Sequence, residues 1–231
     1  MQTFLKMKKQ LLIYIFILVS SFSSAQLYEA GVFLGGSNYI GDVGSEFYIQ
    51  PNRIAVGAIA KFNFTPRITF RATGLYTRLH DDDSRSQSNF RRNRVPHMQF
   101  RNSILEGALG VEFSFFKYSL SKTGFAQTPY IIAQIGAVNY STVSVDAEKK
   151  RVTSLILPIG VGYKMKLAEN IGIALETSFR YTFKDVIDGN NHAINDPKFN
   201  FGNPNSNDWY VFTGITVVYA FGRPGCYSGA F

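Results

Sequence analysis

Beyond residue 26, apolar and polar side chains alternate with a period of two, in segment after segment separated by turn residues. From Ile54 to Phe64 one face carries Ile54, Val56, Ala58, Ala60, Phe62 and Phe64, and the other Ala55, Gly57, Ile59, Lys61 and Asn63. After Thr65 and Pro66, the residues Ile68, Phe70, Ala72 and Tyr76 alternate with Arg67, Thr69, Arg71, Thr73 and Thr77, which predicts a hairpin. The same rhythm runs through Ser103 to Phe116, more weakly through Tyr130 to Tyr140, and clearly through Ser154 to Lys166 and Ile171 to Lys184. Pro158 has no amide N–H to give to a ladder, which predicts a bulge there. With Leu27 to Gly35 and Trp209 to Phe221, the count is about eight strands. Several approach the roughly 9 to 11 residues of a tilted membrane strand, longer than the roughly 5 to 6 usual in soluble sheets.

The composition of the second face decides what it meets. It mixes glycine and alanine with both signs of charge: Lys61, Arg71, Glu106, Glu112, Lys164, Glu176 and Arg180. A narrow barrel interior needs small residues for room and opposite charges that can pair where water is scarce. These seven residues are read as an interior network that plugs the barrel, with a proton or ion pathway as the alternative. Connection lengths point the same way. Thr65 to Pro66 and Leu167 to Asn170 are short and Lys117 to Thr128 is intermediate, whereas Ser37 to Arg53, His80 to Arg101, Ser141 to Thr153 and Asp185 to Asn207 are long and polar. Outer-membrane barrels put short turns in the periplasm and long loops outside. Phe64, Phe115, Phe116, Tyr130, Tyr163, Trp209, Tyr219 and Phe221 near strand ends are expected to form interfacial aromatic girdles. The fold expected is an all-β, transmembrane antiparallel barrel.

The first residues say how such a barrel leaves the cytoplasm. Lys6, Lys8 and Lys9 precede the apolar run Leu11 to Val19 and the small polar stretch Ser20 to Ala25, the layout of a secretory leader. Cleavage is expected after Ala25, dividing the chain into a signal peptide (1–25), a barrel (26–221) and a periplasmic tail (222–231). The leader's apolar run is shorter than the roughly 20 residues of a spanning helix, and no later stretch reaches that length. Apolar residues make up 45% of the chain, which suits a soluble sandwich as well as a membrane barrel, so composition does not decide. The net charge of +8 falls by three, to +5, without the leader lysines, a modest excess that suits anionic headgroups. Nucleic acid is not an expected partner of an exported chain. The single cysteine, Cys226, can form no internal disulfide, and none stands at the cleavage site to carry a lipoprotein anchor.

Candidate chemistry is sparse. The stretch Gly31 to Gly44 lacks the glycine spacing and Lys-Ser/Thr ending of a phosphate loop and reads as a strand leading into a turn. His80 beside Asp81, Asp82 and Asp83, with His97 and His192 in other loops, shows no metal-ligand spacing. No serine lies in a nucleophile-elbow pattern. No catalytic residue, metal, cofactor or small-molecule substrate is therefore expected. Arg91, Arg92 and Arg94, with Arg85 and Arg101, make the second long loop basic. This reads either as a solvated loop or as a contact for lipopolysaccharide phosphates and outer-membrane lipid, or for an acidic surface.

Five segments carry a family resemblance: GVFLGGSNYIGDVG (Gly31 to Gly44), VEFSFF (Val111 to Phe116), RYTFKDVIDG (Arg180 to Gly189), SNDWYVFTG (Ser206 to Gly214) and FGRPGCY (Phe221 to Tyr227). Together they resemble the PorG family, which supplies an outer-membrane barrel to the type IX secretion system, the exporter of adhesins, proteases and gliding-motility proteins. The resemblance implies a non-enzymatic secretion component that holds the periplasmic PorK/PorN ring, with other type IX components, at the outer membrane. It implies a contact through the tail around Gly225, Cys226 and Tyr227, or through the Lys117 to Thr128 connection. The alternative is an independent small outer-membrane barrel with an adhesion or membrane-integrity role.

Overall fold

Eight antiparallel strands pair in sequence order and β1 closes on β8. The computed structural model describes residues 27–41, 43–93, 98–120, 124–143, 149–184, 187 and 208–221. The strands are β1 (Leu27–Ile40), β2 (Arg53–Asn63), β3 (Ile68–Asp82), β4 (Gln99–Ser114), β5 (Gln127–Val143), β6 (Lys149–Ala168), β7 (Ile171–Thr182) and β8 (Trp209–Phe221). A four-residue helix, α1 (Asn89–Arg92), lies between β3 and β4. Closure leaves no unpaired edge in hydrocarbon, which is what permits a sheet to span a bilayer. Among the described residues no helix is long and apolar enough to do so. The leader (1–25) and the tail (222–231) lie outside the described residues.

Each expected segment lies mainly on a strand, with Phe64, Phe115, Phe116, Phe183 and Lys184 falling just past the strand ends, and several strands run further at the outer end. β3 and β4 pair from Ile68↔Phe113 up to Asp82↔Gln99, and β5 and β6 up to Val143↔Lys149. Above the bilayer neither face of a ladder has to be apolar, so polar strand ends read as loops. Pro158 corrects a second expectation, because no bulge forms there. Ladder pairs Ala133↔Ile159 and Gly136↔Ile156 flank a short unpaired stretch in one register, and the register shift falls at Lys166/Ala168 against β7. The β6–β7 turn is only Glu169 and Asn170, with Asn170 in the left-handed region (φ 61°) that asparagine tolerates.

The outward face is a hydrocarbon belt in which Val32, Leu34, Ile54, Leu109, Ile135, Leu155, Ile159 and Leu175 are exposed. Ring contacts link Phe221, Tyr28, Phe62, Phe70 and Phe64 into a periplasmic girdle. Tyr76, Phe183 and Trp209 are exposed towards the outer end, where Tyr181 packs on Trp209. Tyr130 leaves the expected girdle, since its alternation turns it into the lumen, where it is buried.

Inside, the barrel is filled in layers. At the periplasmic mouth the β4–β5 connection folds back, and Tyr118 and Leu120 pack on Val218 and Ala220. The Tyr118 amide donates to the Pro66 carbonyl at 2.9 Å. The charged residues come next. The outer half is an apolar core of Phe33, Leu75, Leu79, Ile104, Val138, Ile156 and Phe212. The face expected to be polar is therefore apolar over half its length, and the barrel holds a core of its own there.

Candidate functional site

Glu112 on β4 is the centre of the charged layer and is fully buried. It accepts Lys164 Nζ at 2.6 Å, Lys61 Nζ at 2.8 Å and Arg71 Nη1 at 3.3 Å. Arg71 also reaches across the lumen to Glu176, with Nη2 to Oε1 at 2.8 Å and Nη1 to Oε2 at 2.9 Å, a two-pronged pair. Tyr130 Oη donates to Glu176 Oε2 at 2.9 Å. The alternation of β2, β3, β4, β6 and β7 turns these five charges inward, and the backbone opposes Lys61 to Arg71 in the β2–β3 ladder. The ammonium of Lys164 lies 4.5 Å from the Tyr118 ring centroid and 5.4 Å from that of Tyr130, which adds cation–π attraction.

A second pair lies nearer the outer core. Arg180 Nε donates to Glu106 Oε1 at 3.2 Å and Oε2 at 3.3 Å, Tyr210 Oη donates to Glu106 Oε2 at 2.7 Å, and the guanidinium stacks 4.4 Å from the Phe212 centroid. Arg180 also donates to the carbonyl and hydroxyl of Ser178. The seven charged residues singled out in the sequence thus form two buried clusters. Sequence reasoning missed Glu29, which is buried on β1 and accepts Asn63 Nδ2 at 2.7 Å. Following β1's alternation back from Phe33 and Gly31 would have found it. With Glu29 included, Lys61, Arg71, Lys164 and Arg180 face Glu29, Glu106, Glu112 and Glu176, so the charges of these layers cancel. Tyr118, in the β4–β5 connection outside the strands, has its phenol pushed up by burial and by the nearby Glu29 and Glu112 carboxylates.

The acidic triplet of the second loop organises backbone. Asp83 accepts the amides of Gly44 at 3.1 Å and Met98 at 3.3 Å, Asp81 accepts that of Ser45 at 3.3 Å, and Asp82 caps the 83–85 turn through the Ser84 amide at 2.8 Å. His80 sits at a strand end with Nδ1 2.7 Å from the Phe100 carbonyl. Among the described residues no group of three or more His, Cys, Asp or Glu could hold a metal. In the basic loop, Arg91 reaches the Gly44 carbonyl at 3.3 Å and Glu46 at 3.9 Å, and Arg92 clasps the Ser86 carbonyl at 2.9 and 3.2 Å. Both help to shape the loop. Arg94, Gly225, Cys226 and Tyr227 lie outside the described residues.

Beyond Leu105↔Asn139 the β4–β5 ladder stops, although each strand continues to pair with its other neighbour. Asn102 bridges the parting. Its Nδ2 donates to the carbonyls of Ser141 and Ile187 at 2.7 Å each, and its Oδ1 accepts the Ser141 amide at 3.0 Å. The β3–β4 and β5–β6 hairpins therefore stand separately above the wall.

The chain is similar to the N-terminal β-barrel domain of Pseudomonas aeruginosa OprF, at 15% identity and a TM-score of 0.45, over 86% of this chain and 98% of that one. It is also similar to Yersinia pestis Ail, the attachment invasion locus protein, in complex with the heparin analogue sucrose octasulfate (12%, TM-score 0.43, 85% and 99%). A third is Neisserial surface protein A (12%, TM-score 0.45, 85% and 97%). At these identities the likeness concerns fold alone. No curated protein matches the sequence. The chain is an integral outer-membrane β-barrel. The expectation of a type IX secretion role is corrected: the family whose model matches is described only as a domain of unknown function, and no finding connects the chain to the PorG family or to a PorK/PorN ring. Short segments such as VEFSFF are what any strand with an aromatic girdle would spell and carry no family identity by themselves. Residues 8–230 match the family described as domain of unknown function DUF6089, and the chain belongs to it.

Proposed function

We infer that this is an independent, closed, non-enzymatic barrel that works through its outer surface, in adhesion or in keeping the membrane intact. The observation that carries this reading is the filled interior: an apolar outer core stacked on charge clusters whose members are buried and paired. Among the described residues, chemistry directed at the outside falls to the β1–β2 connection and to the β3–β4 and β5–β6 hairpins, held by Asn102 and the buried carboxylates of the second loop. The reading includes export by a leader cleaved after Ala25 and a periplasmic tail from residue 222. The purified barrel in planar bilayers is expected to show no steady conductance, and open-channel currents would overturn the closed lumen. Cells lacking the chain are expected to lose surface attachment or gain detergent sensitivity, restored by the whole chain and not by one with both hairpins shortened. Unchanged attachment and unchanged sensitivity would refute the surface role.

A further inference from the structure

The outward wall between β2 and β6 departs from the rest of the hydrocarbon belt. The register sets Ala58 beside Gly74, Gly74 beside Gly107, Gly107 beside Ala137 and Ala137 beside Leu155. In the adjacent tier Ala60 lies beside Ala72 and Ala72 beside Leu109. The missing side chains leave a groove of about 720 Å³ on the lipid-facing wall, bordered by Leu109, Ile135 and Leu155. A Cβ on Gly74 or Gly107 would meet nothing within 4 Å, so strand packing does not demand glycine there. Small residues by themselves give a shape without an occupant.

The occupant is indicated by what stands above the groove. Arg78 is four residues up β3 from Gly74, Arg101 six up β4 from Gly107, and Arg151 four up β6 from Leu155. At about 3.4 Å per residue these are separations of roughly 13 to 20 Å, within the length of one fatty acyl chain. All three arginines are exposed and face outward by the same alternation. They lie at and beyond the level of Tyr76, at the edge of the belt. Arg78 Nε donates to Tyr76 Oη at 3.3 Å, and Arg151 Nη1 reaches across to Asn139 Oδ1 on β5 at 2.8 Å, which brings Arg151 towards the β4–β5 side of the wall. None of them pairs with a carboxylate among the described residues.

We propose that the wall from β3 to β6 is a binding site for one phosphate-bearing lipid of the outer leaflet, its phosphate held by Arg78, Arg101 and Arg151 and an acyl chain laid in the groove over Gly74 and Gly107. Three guanidinium groups match a phosphate monoester, which carries between one and two negative charges, better than a diester carrying one. The arginine stems cover the apolar wall while their heads stay at headgroup level. The site stands on the outer wall and does not depend on the surface role inferred above.

The folded barrel in detergent, its folding judged by heat-shifted gel mobility, is titrated with bis-phosphorylated lipid A, phosphatidylglycerol and phosphatidylcholine, and bound lipid is counted by native mass spectrometry. Retention is expected to follow that order and to weaken with salt. The R78Q/R101Q/R151Q variant is expected to bind lipid A at least about tenfold more weakly. The single Arg101→Gln variant, whose exposed side chain makes no hydrogen bond or ion pair among the described residues, is expected to move the same way. Gly107→Leu, which fills the groove without touching the lumen, is expected to weaken lipid A with folding unchanged. Equal retention of the three lipids, wild-type affinity in the arginine variants, or undiminished binding by Gly107→Leu would each overturn the site.

Discussion

Replacing Glu112 with glutamine keeps the shape of the side chain and removes one charge from the point where Lys61, Arg71 and Lys164 converge. With the carboxylate neutral, three cations buried beside one another face Glu176 and Glu29 alone. Breaking a buried pair by removing one partner costs about 3 to 5 kcal/mol, most of it the penalty of the charge left behind. With a urea slope of about 2 kcal/mol per molar, the unfolding midpoint should fall by roughly 2 M. The chain's single tryptophan, Trp209, is half-exposed at the outer rim of β8, so its emission reports insertion and unfolding in lipid vesicles. The Glu112→Gln/Lys164→Met double variant restores neutrality and should recover part of the loss. A Glu112→Gln barrel within about 1 kcal/mol of wild type would refute the reasoning, because that is the size of an exposed pair. A double variant that simply adds the two single losses would refute it as well.

Gly162→Ala should destabilise by about 1 to 3 kcal/mol in the same urea assay. Its Cβ would stand 2.5 Å from Tyr130 Cζ and 2.6 Å from Oη, pushing the ring off Glu176. Gly107→Ala, whose Cβ meets nothing, should stay within about 0.5 kcal/mol. Phe212→Ala opens the outer core beneath Arg180 and should cost about 3 to 5 kcal/mol without producing conductance, because the Glu112 layer still closes the lumen below. Asn102→Ala removes two hydrogen bonds to Ser141 across the parted strands and one to the Ile187 carbonyl, about 1 kcal/mol each. Faster hydrogen exchange at the Ser141 amide, together with a urea midpoint lowered by about 1 to 1.5 M at the same slope, is the expected signature.

How much of this could be read beforehand depended on where each residue meets lipid. Leu105, Leu109 and Val111 must face outward in hydrocarbon, so β4's alternation told its register and turned Glu106 and Glu112 inward before any coordinates. At Asp81 and Phe100 no hydrocarbon enforces the pattern, and a real ladder looked like loop. Leu75, Leu79, Ile104 and Ile156 sat on the face taken as polar, and their apolar character was the available signal that the outer lumen is a packed core. Tyr130 suits a girdle by composition, and only its parity with Ile132 and Thr128 shows that it points inward. Which cation would meet which carboxylate was not legible, because Arg71 and Glu176 are 105 positions apart and meet across the lumen.

An apolar filling throughout would have closed the barrel as tightly, so the buried charges call for a reason beyond closure. The clusters draw on β2, β3, β4, β6 and β7, with β5 joining through Tyr130 and β8 through Tyr210. A one-residue slip of β3 would turn Arg71 into hydrocarbon and leave Glu176 without its two-pronged partner. An arginine on the lipid face costs about 2 to 4 kcal/mol near the midplane, before the abandoned carboxylate is counted. A slip of β4 would expose both Glu106 and Glu112 and strand the cations of both clusters. Apolar side chains set no such penalty, since Leu75 and Leu109 are at home on either face. In a barrel whose two faces are both partly apolar, the paired charges are what make the register unique, at the cost of the desolvation that the pairing must offset.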